Sequence, residues 1–270
     1  YGATVVHLAS HEVLTDFGPE AWGETLAQLV ASSGASIVTA CGTDRGNEVL
    51  AHVAARLDEP FVANCREVDP SDDTWSMTRV QWGGSLLEDV TLAAGRKIVS
   101  VAHHAVEAAP ASEPSAGTVT AFSPDLDASL ARTVVTDRVV LSRGITLATA
   151  PVVVGGGRGV GSAEAFAPLE ELAAELGGVV GCSRAVTNNG WRPHSDQVGQ
   201  TGTRIAPQVY IASGISGAIQ HWVGAMASKH ILAINTDREA NIVVRADWAV
   251  IGDLHKVIPA ITEEVRRRRS

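Results

Sequence analysis

Short β-branched runs alternate with stretches of helical apolar spacing from the first residues of the chain. Thr4 to Leu8 reads as a strand, Glu20 to Ala31 as a helix, Ser36 to Ala40 as a strand and Asn47 to Leu57 as a helix. That alternation predicts βαβ units. Phe61 to Asn64 and Met77 to Trp82 also read as strands, and Lys97 to Val101 follows with little helical pattern in between. This part of the sheet is therefore expected to turn mixed or antiparallel. The segment from His104 to Gly117 is small, Pro- and Ser-bearing and aperiodic, the composition of a surface loop or linker.

The second half opens on Pro151-Val152-Val153-Val154, a buried-strand pattern, and passes at once into the glycine turn Gly155 to Gly161. A long helix through Leu176 is predicted after it, with Ser162 as N-cap, Glu164 in the first turn and Phe166, Leu169, Leu172, Ala173 and Leu176 as its apolar stripe. Further strands are read at Val179-Val180, Val209 to Ala212, Ile231 to Ile234 and Trp248 to Ile251, with helices between Gly217 and Lys229 and from Leu254 to Arg268. The predicted fold class is α/β: an N-terminal α/β domain over residues 1–144 and a doubly wound parallel-sheet domain over 145–270. In such sheets ligands bind beyond the carboxyl ends of the strands.

Composition narrows the classes. The 270 residues are 45% hydrophobic with 26 glycines, and no apolar run approaches the roughly 18 residues of a membrane span. Disorder, coiled coil and membrane insertion are excluded on that basis. Three cysteines without CxxC or Cys/His spacing point to neither a disulfide framework nor a metal site, and to a reducing compartment. Residues 1–144 hold 9 basic and 19 acidic side chains, and residues 145–270 hold 12 and 11. The run Arg266 to Arg269 reads as a solvated tail, and nucleic-acid binding is not expected. No targeting pattern opens the chain, and the absence of a starting Met suggests a fragment.

Three strand-end segments carry candidate chemistry. The turn GGGRGVG could cradle a phosphate or serve simply as a structural turn, since it lacks G-x-G-x-x-G, a P-loop Lys-Ser/Thr pair and a following acidic residue. Arg158 within it offers a guanidinium fork to a carbonyl or phosphate. Ser183, Arg184, Gln197, Gln200 and Thr201 supply donors and acceptors for a polar heterocycle and sugar chain, or else form an ordinary polar loop; Cys182 among them is expected to pack. Ser216 and Gly217 point backbone amides towards a phosphate, with Gln220 and His221 one turn later. Asn235 and Asp253 end two more strands and could bind ligand or cap helices. No Ser/His/Asp order, paired-carboxylate motif or metal spacing supports hydrolytic chemistry.

The stretch VYIASGISGAIQHWVGAMASKHILAIN, residues 209–235, with VVVGGGRG, GCSRAV, DQVGQTG and ADWAVIGDL, closely resembles the electron transfer flavoprotein alpha subunit, or FixB, family. The resemblance covers essentially all of residues 150–262; Gly2 to Leu14 and Arg45 to Leu57 agree more loosely with its first half. Roughly one βαβ unit of the family pattern is missing before Tyr1, so an incomplete first sheet is expected. The family implies one FAD, a heterodimer with a beta subunit, and electron shuttling from flavin dehydrogenases, such as acyl-CoA dehydrogenases of fatty acid oxidation, to a quinone oxidoreductase. It is an electron carrier rather than an enzyme with its own small-molecule substrate, cytoplasmic, or in the mitochondrial matrix of a eukaryote.

By motif matching, the resemblance places Arg158 and Arg184 near the flavin ring, where positive charge favours a negatively charged reduced ring, with Ser183 beside them. Gln197, Val198, Gly199, Gln200 and Thr201 would run along the flavin and ribityl chain. Ser216, Gly217, Ala218, Ile219, Gln220 and His221 would cradle pyrophosphate and ring, His221 meeting a ring carbonyl. Asn235 and Asp253 would face the adenosine, with Leu254 completing the set. Thr203 departs from the basic residue common at its position. The alternatives are an NAD-dependent oxidoreductase, which the missing G-x-G-x-x-G disfavours, and a non-redox nucleotide-binding subunit. The acidic first half is expected to meet a partner surface or to be a solvated face.

Overall fold

The computed structural model describes residues 2–107, 109–113, 115–137 and 144–269. It divides into two compact units, Tyr1–Trp82 with Leu86–Leu141 and Gly83–Ser85 with Ser142–Ser270.

In the first unit β1 (Val5–Ala9), α1 (Pro19–Ser33), β2 (Ile37–Cys41) and α2 (Asp44–Leu57) follow the expected alternation. Helix α1 starts at Pro19, whose fixed φ suits a first helical position. It stops at Gly34, whose φ of 69° lets its amide reach the Val30 carbonyl at 3.0 Å. The Thr43 hydroxyl caps α2 by accepting the Gly46 amide at 3.0 Å. Strands β3 (Phe61–Asp69), β4 (Trp75–Gln81), β5 (Leu86–Leu92) and β6 (Lys97–Val101) complete a sheet of order β2-β6-β3-β4-β5. Strands β2, β6 and β3 are parallel, whereas β3, β4 and β5 are antiparallel, the mixed arrangement expected.

Two features differ from expectation. Strand β3 does not end at Asn64 but continues to Asp69, because a bulge around Asn64, at φ 60°, turns it from β6 onto β4. Strands β5 and β7 (Thr118–Phe122) were not expected, since Leu86-Leu87-Glu88-Asp89 breaks strict alternation and Thr118 follows an aperiodic loop. Strand β7 pairs in parallel with β1 as a separate two-stranded sheet, Val5 opposite Thr118 through Ala9 opposite Phe122. Val6, Leu8 and Val119 on this ribbon are exposed.

The second unit holds β8 (Val152–Gly156), α3 (Ala167–Glu175), β9 (Val179–Cys182), α4 (Arg184–Asn188), β10 (Val209–Ser213), α5 (Ile219–Ala225), β11 (Ile231–Asn235), α6 (Asn241–Arg245), β12 (Trp248–Ile251) and α7 (Leu254–Arg269). All five strands are parallel in the order β12-β11-β10-β8-β9. The chain leaves β8 in one direction to β9 and returns on the other side to β10, which places the switch point between β8 and β10. Alternate strand residues fill two layers. Val153, Tyr210, Ala212 and Ala233 pack with Ala225 and Ile242, while Val154, Ile211 and Ile234 pack with Leu169, Leu172 and Ile258. Near-continuous burial along β8 and β10, with successive residues facing opposite layers, is the signature of a sheet covered by helices on each side.

The predicted helix from Ser162 to Leu176 is broken. A 3-10 turn at Glu164–Phe166 precedes α3, which takes Pro168 into its first turn. The Ser162 hydroxyl still accepts the Ala165 amide, at 3.3 Å. Helices α4 and α6, one turn each, carry too few residues to show a period. The Arg266 to Arg269 run is not a tail but the last turn of α7. Arg266 bridges Glu171 and Glu175, each at 2.7 Å, and Arg267 and Arg268 reach Glu264 at 2.6 and 2.7 Å. Cations at a helix C-terminus also complement its dipole.

Candidate functional site

The carboxyl ends of β8 to β12 are stitched together by main-chain hydrogen bonds. Gly157 N–H donates to the Ser213 carbonyl at 2.9 Å, Ser183 N–H to Gly156 at 3.0 Å, Gly214 N–H to Ile234 at 2.9 Å and Gly252 N–H to Asn235 at 3.0 Å. Such close approach needs glycine: a Cβ on Gly157 would lie 2.2 Å from the Gly214 carbonyl oxygen. The GGGRG turn and the SGISG turn are therefore packed backbone to backbone. Arg158, in the turn after β8, and Arg184, opening α4, stay exposed without a side-chain partner among the described residues, as befits guanidinium groups available to an anion.

The QVGQTG segment folds against both β9 and α5. Val198 N–H donates to Cys182 at 2.9 Å, Gln200 N–H to Gln220 at 2.7 Å and Thr203 N–H to Gln197 at 2.7 Å. Gln197 is buried and hydrogen-bonded at both ends of its side-chain amide, its carbonyl accepting Thr187 Oγ1 at 2.8 Å and its amide donating to Thr201 Oγ1 at 2.9 Å. Gly199 lies so near Gly224 of α5 that a Cβ on the latter would sit 2.4 Å from its Cα. The side chain of Gln197 is thus a brace for the loop, and Thr201, which it fixes, is exposed at the loop's surface.

Ser216, Ala218, Ile219 and Gln220 are exposed around the buried Gly217, whose φ of 76° bends the chain into α5. His221, in the first turn of α5, is 7% exposed. Its Nε2 lies 2.8 Å from the Tyr210 hydroxyl, and its Nδ1 has no hydrogen-bond partner among the described residues. Burial pushes the imidazole pKa down to about 4; the Val198 backbone lies close enough to oppose the shift in part, without reaching hydrogen-bond geometry at Nδ1. Ser213, buried at the end of β10, likewise leaves its hydroxyl without a partner among the described residues. Buried polar atoms normally find partners, so two orphans at one strand and the helix after it mark a place where a polar ligand atom would be welcome.

Asn235 and Asp253 spend their side chains locally. Asn235 Nδ2 donates to the Ile215 carbonyl at 2.9 Å while its Oδ1 accepts Asp237 N–H at 3.0 Å, and Asp253 caps α7 by accepting His255 N–H at 3.0 Å. Leu254 is core, packed with Val160 and Ile258 and lying against Gly214. Cys182 is buried, and burial pushes its thiol up to about 12, so it packs. Residues the sequence did not single out are Tyr210, Ser213 and Thr187. Tyr210 alone left a signal: a phenol on the inward face of a strand next to a helical His.

Comparison with known proteins decides the family. The model described as electron transfer flavoprotein FAD-binding domain matches residues 146–226, and that of the electron transfer flavoprotein domain matches residues 1–127. The electron transfer flavoprotein subunit alpha of Clostridium acetobutylicum is 36% identical over 272 residues, covering 98% of this chain and 81% of that protein. The chain belongs to the electron transfer flavoprotein alpha-subunit family. The subunit alpha of Thermoanaerobacterium thermosaccharolyticum is 33% identical, with 99% and 82% covered. Protein FixB of Bradyrhizobium diazoefficiens is 35% identical, with 99% and 74% covered. FAD is the cofactor of this family's second domain. The residues present suit it: free guanidinium groups for its anionic portions, an orphaned imidazole nitrogen for an acceptor on its ring, and glycine turns for close backbone approach. Among the described residues no helix is long and apolar enough to cross a membrane.

Proposed function

We propose that this chain holds FAD along the carboxyl ends of β8 to β12 and, paired with a beta subunit, carries electrons from flavin dehydrogenases to a quinone oxidoreductase or another acceptor. The observation that carries the reading is His221: a neutral, buried imidazole with one nitrogen lacking a hydrogen-bond partner among the described residues, inside the segment matched by the FAD-binding family model. Residues 145–270 are taken as the FAD-binding domain and 1–144 as its companion, in keeping with a family match that begins at residue 146.

Bound FAD supplies the redox chemistry, and the side chains supply orientation and field. Arg158 and Arg184 hold positive charge where negative charge accumulates on reduction. Ser183 and Val198 to Thr201 line the ring and ribityl chain, with Gln197 bracing them. Ser216 to Gln220 receive the pyrophosphate, and His221 hydrogen-bonds the ring. Asn235, Asp253 and Leu254 shape the adenosine end, the first two through the turns they fix. None of these groups breaks a substrate bond, which suits a carrier.

The test is the visible spectrum of the chain co-purified with a beta subunit from the same source, followed by extraction and identification of the nucleotide. Oxidised-flavin absorbance and released FAD are expected, with the colour bleaching as reductant is added. A folded, colourless complex would remove the reading.

A further inference from the structure

We propose that Tyr210 is a positioning residue that locks His221 in the tautomer carrying its proton on Nδ1, so that this imidazole offers a donor, and not an acceptor, to whatever enters the site. The inference rests on the FAD reading only for the name of the ligand; the lock itself follows from the pair's geometry. The phenol oxygen and Nε2 are 2.8 Å apart, and both side chains are buried. Burial raises the phenol pKa and lowers that of the imidazole, so two neutral groups share a single hydrogen at neutral pH.

Only two arrangements exist. If Nε2 carries the hydrogen and donates to the phenol oxygen, the phenol O–H itself is left without an acceptor among the described residues, a buried orphan donor. If the phenol donates to Nε2, phenol and Nε2 are both satisfied, and the single open valence is the N–H at Nδ1. The second arrangement wastes nothing inside the protein. It leaves one donor, on the nitrogen that has no partner among the described residues, which selects a carbonyl oxygen or an imine-type ring nitrogen as its ligand atom.

The pair is built into the sheet. Tyr210 on β10 lies over Gly155 on the neighbouring strand β8, where a Cβ would come within 2.4 Å of the phenol oxygen. A side chain at Gly155 would displace the hydroxyl that His221 depends on. Gly155 therefore serves the imidazole at second hand, by leaving the slot in which the tyrosine ring rests.

Nitrogen-15 spectra of histidine side chains distinguish the tautomers, and H221Q identifies the His221 signals among the nine histidines. The measurement uses the co-purified complex with the beta subunit at neutral pH. In the wild type the His221 proton is expected on Nδ1. Tyr210→Phe, which removes the hydroxyl alone, is expected to move the proton to Nε2 or to mix the two forms, and to weaken FAD retention about tenfold. Gly155→Ala, which keeps the phenol but crowds it, is expected to disturb the same signal. A wild-type proton on Nε2, or an unchanged His221 signal in Tyr210→Phe, would overturn the lock. A colourless complex in which Tyr210→Phe still moves the proton would instead overturn the FAD reading and uphold the positioning role.

Discussion

His221 ties one side chain to a measurable pH dependence. Its pKa in the fold, about 4, lies below the unfolded value of about 6.5, so the unfolded chain binds more protons between these limits. The fold's preference for the neutral ring is therefore fully present above the unfolded pKa and is lost as pH falls towards 4, by an amount on the order of 3 kcal/mol. Thermal melts between pH 4 and 7 should fall more steeply with acid for wild type than for His221→Gln; parallel curves would contradict it. Ser213 gives a second test. Its buried hydroxyl has no partner among the described residues, so Ser213→Ala in the flavin-free chain should gain about 1 kcal/mol, a rise of about 2–4 °C in melting temperature. A fall in melting temperature would mean that the hydroxyl is engaged. The amino-acid sequence pointed to His221 because its strand-end turn was legible, whereas Tyr210 and Ser213 looked like ordinary strand residues. Which face of a strand meets which helix is set by tertiary packing, and a period of two does not encode it.

At the level of elements, the strands of the second unit were readable because each is a short β-branched run bounded by glycine or polar residues. The glycine turns beside them are legible too, but their purpose is not. Gly157 and Gly224 serve close backbone contacts with residues far along the chain, Gly214 and Gly199, and spacing alone cannot reveal such a meeting. Gly224→Ala tests one of them. The added methyl would sit 2.4 Å from Gly199, so α5 and the QVGQTG loop must part, at a cost of about 1–3 kcal/mol. A lower melting temperature and a reduced flavin-to-protein ratio are expected together; an unchanged melt would show that the two backbones have room to spare. Asn235 and Asp253 teach the opposite lesson: their side chains at strand ends looked equally like ligands and caps, and local hydrogen bonds engage both. The broken helix before Ala167 was missed because the apolar stripe continues through Pro168, and the stripe records burial rather than hydrogen bonding.

Taken as a whole molecule, the two units differ in how completely each closes its own sheet. The second covers β8 to β11 with helices on both faces and leaves the edge strand β12 exposed. The first carries β1 and β7 as a parallel pair with Leu8 61% and Val119 66% exposed. Parallel strands ordinarily lie under cover on both sides, and two strands alone are marginal in water. The consequence concerns how this polypeptide behaves in a tube. Among the described residues neither outer edge of this ribbon is paired, and strand edges flanked by valine and leucine are templates for intermolecular pairing, so the purified chain is expected to self-associate as its concentration rises. Light scattering should grow faster than linearly with concentration, and a lysine at Leu8 or Val119 should suppress that growth while leaving the second unit's flavin absorbance in place. A chain that stays monomeric at high concentration would show that the ribbon is already shielded. If scattering does grow in that way, solubility, rather than redox chemistry, is the first property through which this small ribbon is felt.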